Sequence, residues 1–408
     1  LVRRGSDGVD LARFCHADIA IAAITASPQP NCPCGQVLQA ALHAETTRLR
    51  VCFPVILNLV EKQENIVQPL DHQQQLFMVE SDQLYRAWID ALHHARSYRY
   101  GMRWMSSKGR QYLLRRQDAR GNGKSLGPRN AETEAVYAAF TEGKVRAKAR
   151  LQTLSERVKN QTRLNRALRL GRLPSIVGDI LLGLAAARME HDFCVIGTHA
   201  IHAYEAMAGV HCRMELLASG DVDLLYDPRR HLSIVTQKLD QGGLLGLLRK
   251  ADPSFVPSRD APFRAVNDKG FMVDLVIPAR DMRDATDVTF GQDDLVAVEL
   301  PNLHWLVNAP KHDVVAIASD GRPVMMRVPD PRAFALHKAW LSTRQDREPV
   351  KKGRDRAQAV LVAEIVLAHL PTFEFDPAQL RYFSAEMLQQ ARRTLAGGDG
   401  IRLPGIDF

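Results

Sequence analysis

Ser219-Gly220-Asp221-Val222-Asp223-Leu224-Leu225 is the stretch on which the fold turns. A turn opens it, and apolar residues then alternate with two aspartates, as on a β-strand. Side chains two residues apart on a strand leave the same face, so Asp221 and Asp223 stand side by side. Such a carboxylate pair is costly unless a cation neutralises it. Mg²⁺ suits the pair, because it takes carboxylate oxygens, keeps several waters and bridges substrate phosphates.

Upstream, Phe193-Cys-Val-Ile196 reads as a short apolar strand that breaks at Gly197-Thr198, and Ala200 to Ala208 follows as a helix without Gly or Pro. A glycine turn at a helix start leaves backbone N–H groups for a phosphate. Downstream, Gly270-Phe-Met-Val-Asp274-Leu-Val-Ile277 is a second strand with a carboxylate in its middle. If Asp274 lies on the adjacent strand, three carboxylates converge, enough to hold two metals about 3.5–4 Å apart. The competing reading makes Asp221 a turn residue and Asp223 a surface residue of an ordinary hairpin. Asp274 argues against it, since an ionised group in so apolar a strand needs a partner or a metal.

An apolar strand, a Gly-Thr turn, a helix, an Asp-x-Asp strand and a later Asp-bearing strand, in that order, resemble the nucleotidyltransferase-fold superfamily typified by DNA polymerase β. Within it the likeness is to the small prokaryotic AbiEii- and MenT-type branch. The family pattern is Gly-Ser, a spacer, Asp-x-Asp and a third Asp; here Thr198 replaces the serine and keeps its hydroxyl, and the spacer is longer. The likeness spans roughly residues 174 to 370. It implies an α+β fold with a mixed sheet flanked by helices. It also implies transfer of a nucleoside monophosphate from an NTP to an acceptor hydroxyl on RNA, protein or a small molecule, with release of pyrophosphate. Asp221, Asp223 and Asp274 would be the catalytic, Mg²⁺- or Mn²⁺-binding set. Gly197, Thr198, Lys338 and Asp355 would serve the nucleotide, Lys338 from the helix Arg332 to Ser342. Asp355 stands in Lys351-Lys-Gly-Arg354-Asp355-Arg356, which matches the relatives' basic loop segment. The plainer readings are an exposed helix lysine for Lys338 and a simple N-cap for Asp355. His199 and His202, just past the turn, either touch substrate or merely pack. A catalytically inactive nucleic-acid-binding or regulatory module on the same scaffold is the alternative, and the intact carboxylate set argues for the enzyme.

Charge is segregated along the chain. Arg96 to Arg172 holds 20 Lys and Arg against 5 Asp and Glu, a balance of +15, whereas the whole chain carries +8, leaving −7 elsewhere. A hairpin reads at Met102 to Leu114 about a Lys108-Gly109 turn, then a glycine-rich loop from Gly121 to Gly127. A long helix follows from about Ala131 to Leu170, with a seam of Val136, Phe140, Leu151, Leu154, Val158, Leu164 and Leu168. With Trp104 and Tyr112 nearby, this basic arm suits RNA or another nucleic acid; a solvated helical face is the competing reading. Gly121-Asn-Gly-Lys124-Ser125 is not a P-loop, since Asp118 stands where the first glycine is required.

Four segments follow: 1–77, an extension that is poorly ordered or not native; 78–172, the basic helical and hairpin region; 173–328, the nucleotidyltransferase core; and 329–408, a C-terminal helical region. Residues 1–77 hold Cys15, Cys32, Cys34 and Cys52 and no methionine before Met78, which reads as the start. The six cysteines lack zinc-site spacing. No apolar run is long enough to span a membrane and no signal peptide opens the chain, so a cytoplasmic protein is expected.

Overall fold

The computed structural model describes residues 67–118, 122–229, 242–279 and 287–396. Along the chain run β1 (Val67–Pro69), α1 (His72–Arg96), β2 (Met102–Ser107), β3 (Arg110–Arg116), β4 (Gly123–Pro128) and α2 (Ala131–Ala167). Next come α3 (Ser175–Ala186), β5 (Phe193–Ile196), α4 (Ala200–Ala208), β6 (Val210–Cys212) and β7 (Asp221–Tyr226). Then follow α5 (Gly243–Ala251), β8 (Val256–Pro257), β9 (Arg264–Val266), β10 (Met272–Pro278) and β11 (Val298–Leu300). The order ends with α6 (Leu303–Asn308), β12 (Lys311–Ile317), β13 (Pro323–Pro329), α7 (Pro331–Thr343), α8 (Pro349–His369) and α9 (Ala385–Ala396).

The central sheet is mixed, in the order β5-β7-β10-β9-β8, with β11 also paired to β10. β7 and β10 are parallel and the other neighbours of these two strands antiparallel, apart from β11. All four residues of β5 are buried, and β10 is buried from Val273 onward, as strands covered on both faces must be. In β7 burial alternates at the start: Asp221 and Asp223 are half-buried, whereas Val222 and Leu224 point into the core. This is an α+β fold with a mixed sheet flanked by helices, as the resemblance implies.

One hydrophobic cluster joins Leu181 and Leu184 of α3, Val195 of β5, Leu224 of β7, Phe334 of α7 and Val362 of α8. Packing crosses 328 in this cluster and 172 in a second one, of Tyr85, Ile89, Ala185, Val315 and Met325, and Ile66–Phe408 forms one compact unit. A shift in charge marks a change of surface, not a boundary of burial. Residues 67–77 also belong to this unit. β1 pairs antiparallel with β6, and a capping box between Asp71 and Gln74 starts α1, which runs through Met78 without a break. The stretch 1–66, expected to be poorly ordered or not native, lies outside the described residues.

The basic region departs from its expected form in two ways. Gly123 to Pro128 is an edge strand of the β2-β3-β4 meander and not a loop. The seam of α2 is also more polar than its spacing suggests. Val136 and Leu164 are exposed, while Gln161 and Asn165 are buried and hydrogen-bond to Ser81 of α1. Small and hydrogen-bonding side chains bring α1 and α2 together there. Trp104 packs on Tyr137 with ring centroids 5.8 Å apart, under the Arg129 guanidinium, so its ring is engaged by the arm itself.

Gly242 stands at the start of α5. One boundary differs from its expected form. The basic stretch expected as a loop up to Asp355 is helical from Pro349, because proline at the first helical position is favoured. No described helix is long and apolar enough to cross a membrane.

Candidate active site

The register of the sheet assembles the carboxylates. Asp223 of β7 lies directly beside Asp274 of β10, and Asp221 beside Met272. On the other flank of β7, Ile196 pairs with Asp223, which brings the end of β5 and the Gly197 turn to the same spot. Gly197 has φ +69°, and a Cβ there would run into the Asp223 carboxylate. Glycine is required twice over, by conformation and by space.

The three carboxylates are neighbours with unlike partners. Asp221 accepts a short hydrogen bond from the Ser219 hydroxyl. Asp274 is buried and held by Arg264 through both oxygens, Nε to Oδ1 at 2.7 Å and Nη2 to Oδ2 at 2.6 Å. Arg264 stands opposite Asp274 on β9. Asp223 receives no hydrogen bond among the described residues. Burial first, then Asp221 and Asp274, push its carboxyl up to about 7, against a partial offset from Lys338 and Arg347.

The fit to a metal follows from that contrast. A carboxylate that is desolvated, flanked by two others and without a donor is stabilised by a cation. Asp221 and Asp223 are the pair that fits one. Among the described residues no three His, Cys, Asp or Glu side chains are already arranged to hold a metal ion, and Arg264 engages Asp274 on both oxygens.

Thr198 is buried, and its hydroxyl accepts from Arg354 Nη2 at 3.2 Å and Gln358 Nε2 at 3.1 Å, both from α8. A hydroxyl has two acceptor sites and one proton. With both acceptor sites taken, the O–H remains to donate to a substrate oxygen. Arg354 also donates to the Ala218 carbonyl and Gln358 to Leu216, so α8 clamps the turn to the loop that leads into β7. No side chain caps α4, whose start adjoins this turn.

Lys338 is buried on α7, where its ammonium donates to Asp355 Oδ1 at 2.7 Å. Arg347 Nε meets the other oxygen of Asp355 at 2.8 Å. Burial raises the Asp355 carboxyl, but the two cations outweigh it and hold the group below its ordinary range. Asp355 thus orients cations toward the carboxylate cluster and does not itself face open space. His202 bonds Glu205 Oε2 at 3.0 Å inside the core, a packing role. His199 is buried against His202, and burial above all, then His202, hold its ring down at about 3.

Reading the sequence missed Arg264 and Gln358. Arg264 stands opposite Asp274 only because the turn between Val266 and Met272 has five residues, a length that no motif in the sequence fixes. Gln358 carries no motif; only the helical spacing Arg354–Gln358 puts it on the face that meets Thr198.

Comparison with curated proteins and with solved structures gives no match. A family model described as nucleotidyltransferase matches residues 175–383, just over half of the chain and the whole of the assembly from α3 to α8. The chain belongs to the nucleotidyltransferase family, and it is a nucleotidyltransferase enzyme.

Proposed function

We propose that the protein transfers a nucleoside monophosphate from an NTP to an acceptor hydroxyl and releases pyrophosphate, in the manner of the AbiEii- and MenT-type branch and in the cytoplasm. The observation that carries this is the register of Asp223 beside Asp274, next to a left-handed glycine and a threonine hydroxyl with its proton left to give. Asp221 and Asp223 would hold Mg²⁺ or Mn²⁺, with Asp274 as the third carboxylate. When bound, the metal supplies charge stabilisation for the phosphoryl group in flight.

The chain's own groups do the rest. Gly197 and Thr198 receive the β- and γ-phosphate oxygens, the threonine by donating its free O–H. Arg354 lies over the same turn, and Lys338 and Arg347, oriented by Asp355, offset charge that develops on the leaving pyrophosphate. Arg264 fixes the plane of the Asp274 carboxylate, which helps to take the acceptor proton.

RNA or another nucleic acid is the acceptor favoured by the basic segment 96–172, with 20 cations against 5 anions. The test is incubation with each of four NTPs labelled at the α-phosphate, with Mg²⁺ and total cellular RNA and protein. Label should enter the RNA fraction, and label at the γ-phosphate should not. Appearance of the α-label in protein only would redirect the acceptor, and its absence from every fraction would sink the reading.

A further inference from the structure

The β2-β3-β4 meander has two faces of different character. Trp104 pairs in register with Leu113, and both lie on the face turned to α2. There Trp104 meets Tyr137, the Arg115 guanidinium lies 4.9 Å from the Phe140 ring centre, and Leu113 is fully buried. Side chains alternate along a strand, so the neighbours of these residues leave by the opposite face. That outer face carries Arg103 and Met105 from β2, and Arg110, Tyr112 and Leu114 from β3.

The pairing of β2 with β3 arranges these five side chains. Met105 stands directly across from Tyr112, Arg103 from Leu114, and Ser107 from Arg110. The Met105–Tyr112 pair is therefore central, with one arginine two residues away at each end. Met105 is 42 % exposed, both arginines are exposed and Tyr112 is half-buried. On the inner face, Arg115 and Arg129 already rest on the rings of Phe140 and Trp104. On the outer face, neither Arg103 nor Arg110 has an ion pair or hydrogen bond among the described residues, and the Tyr112 ring meets no other ring or cation. The three strands contain no Asp or Glu, so no carboxylate of their own neutralises this face.

Phosphates answer such cations, and the face of an unpaired base answers an open aromatic ring. A duplex offers the phosphates but keeps its base faces stacked inside. We propose that the outer face of the meander binds single-stranded nucleic acid, with a base stacked on Tyr112 beside Met105 and phosphates at Arg103 and Arg110. This deepens the reading of the basic segment as the part that meets a nucleic-acid acceptor, and rests on it. The acceptor is thereby single-stranded, and its contact is a sheet face and not the length of α2.

The test is fluorescence anisotropy with the full chain and a labelled single-stranded RNA of about 12 nucleotides, in EDTA and without NTP. The single strand should bind more tightly than the same sequence annealed to its complement. Tyr112→Phe should keep that affinity, and Tyr112→Leu should weaken it about fivefold or more, the size of one base–aromatic stack. Arg103→Gln with Arg110→Gln should lower the slope of log Kd against log salt by about 1.4, for two phosphate contacts. These arginines are exposed and unpartnered, so the double variant decides the matter should Tyr112→Leu melt early. The proposal is overturned by no binding, by tighter binding of the duplex, by a salt slope that the arginine substitutions leave unchanged, or by a well-folded Tyr112→Leu that binds like wild type. Displacement of the RNA by poly-L-glutamate as readily as by unlabelled RNA would also overturn it, and would assign the face to an acidic protein. Binding as described without any nucleotidyl transfer would count against the catalytic reading alone. Transfer to RNA with an unchanged KM in Tyr112→Leu would count against this proposal alone.

Discussion

Asp223 concentrates the electrostatics of the site in one side chain. Its carboxyl is raised from 3.8 to about 7, by burial first and by Asp221 and Asp274 next. The folded state therefore binds that proton more tightly than the unfolded chain does. The stabilisation is present in full below the ordinary carboxylate range and is lost as pH rises through about 7. Thermal melts in EDTA should show the wild type losing stability between pH 5 and pH 8, with a flatter profile for Asp223→Asn and its largest gain at pH 8. Identical profiles would remove Asp223 from this role. Adding Mg²⁺ at pH 8 should raise the wild type and leave the variant nearly unmoved. This residue was legible because a strand has period two, which sets Asp221 and Asp223 on one face from sequence alone. Its neighbour Arg264 was not, because one residue more or less in the turn after Val266 decides what stands opposite Asp274.

Among the elements, α8 does most to build the surroundings of Thr198, the side proposed for the nucleotide. Arg354 and Gln358, four apart, face Thr198, while Asp355 turns to Lys338 on α7. The Lys351-Lys352-Gly353 run reads as loop because glycine and clustered charge weaken a helix, but Pro349 starts it and burial of Leu361, Val362 and Ile365 holds it. Placement of the motif was therefore legible and its conformation was not. Asp355→Ala would leave the buried Lys338 ammonium without its carboxylate, at a cost of about 3–5 kcal/mol in urea unfolding. The double variant Lys338→Met with Asp355→Leu should recover most of that stability while remaining inactive. A single variant as stable as wild type would mean that the pair does not bear on the fold.

At the scale of the whole chain, a basic segment of +15 stands against −7 elsewhere, and the basic segment lies inside the compact unit Ile66–Phe408. If the basic segment meets single-stranded RNA, log Kd should rise with log salt with a slope of about 0.7 per phosphate contacted. Binding by filter retention from 50 to 300 mM KCl checks it, and a slope near zero would assign the arm to a solvated face. Composition marks the charged arm by its surface, whereas packing runs across the segment borders: Tyr85 and Ile89 share a core with Ala185 across 172, and Leu224 with Phe334 and Val362 across 328. The measurement that bears most directly on the central claim is pyrophosphate release from each of the four NTPs with Mg²⁺ and total RNA, wild type beside Asp223→Asn. The account predicts release by the wild type with at least one NTP and a loss of roughly a hundredfold or more in the variant. Equal release by both proteins, or none from either with any NTP, would contradict it.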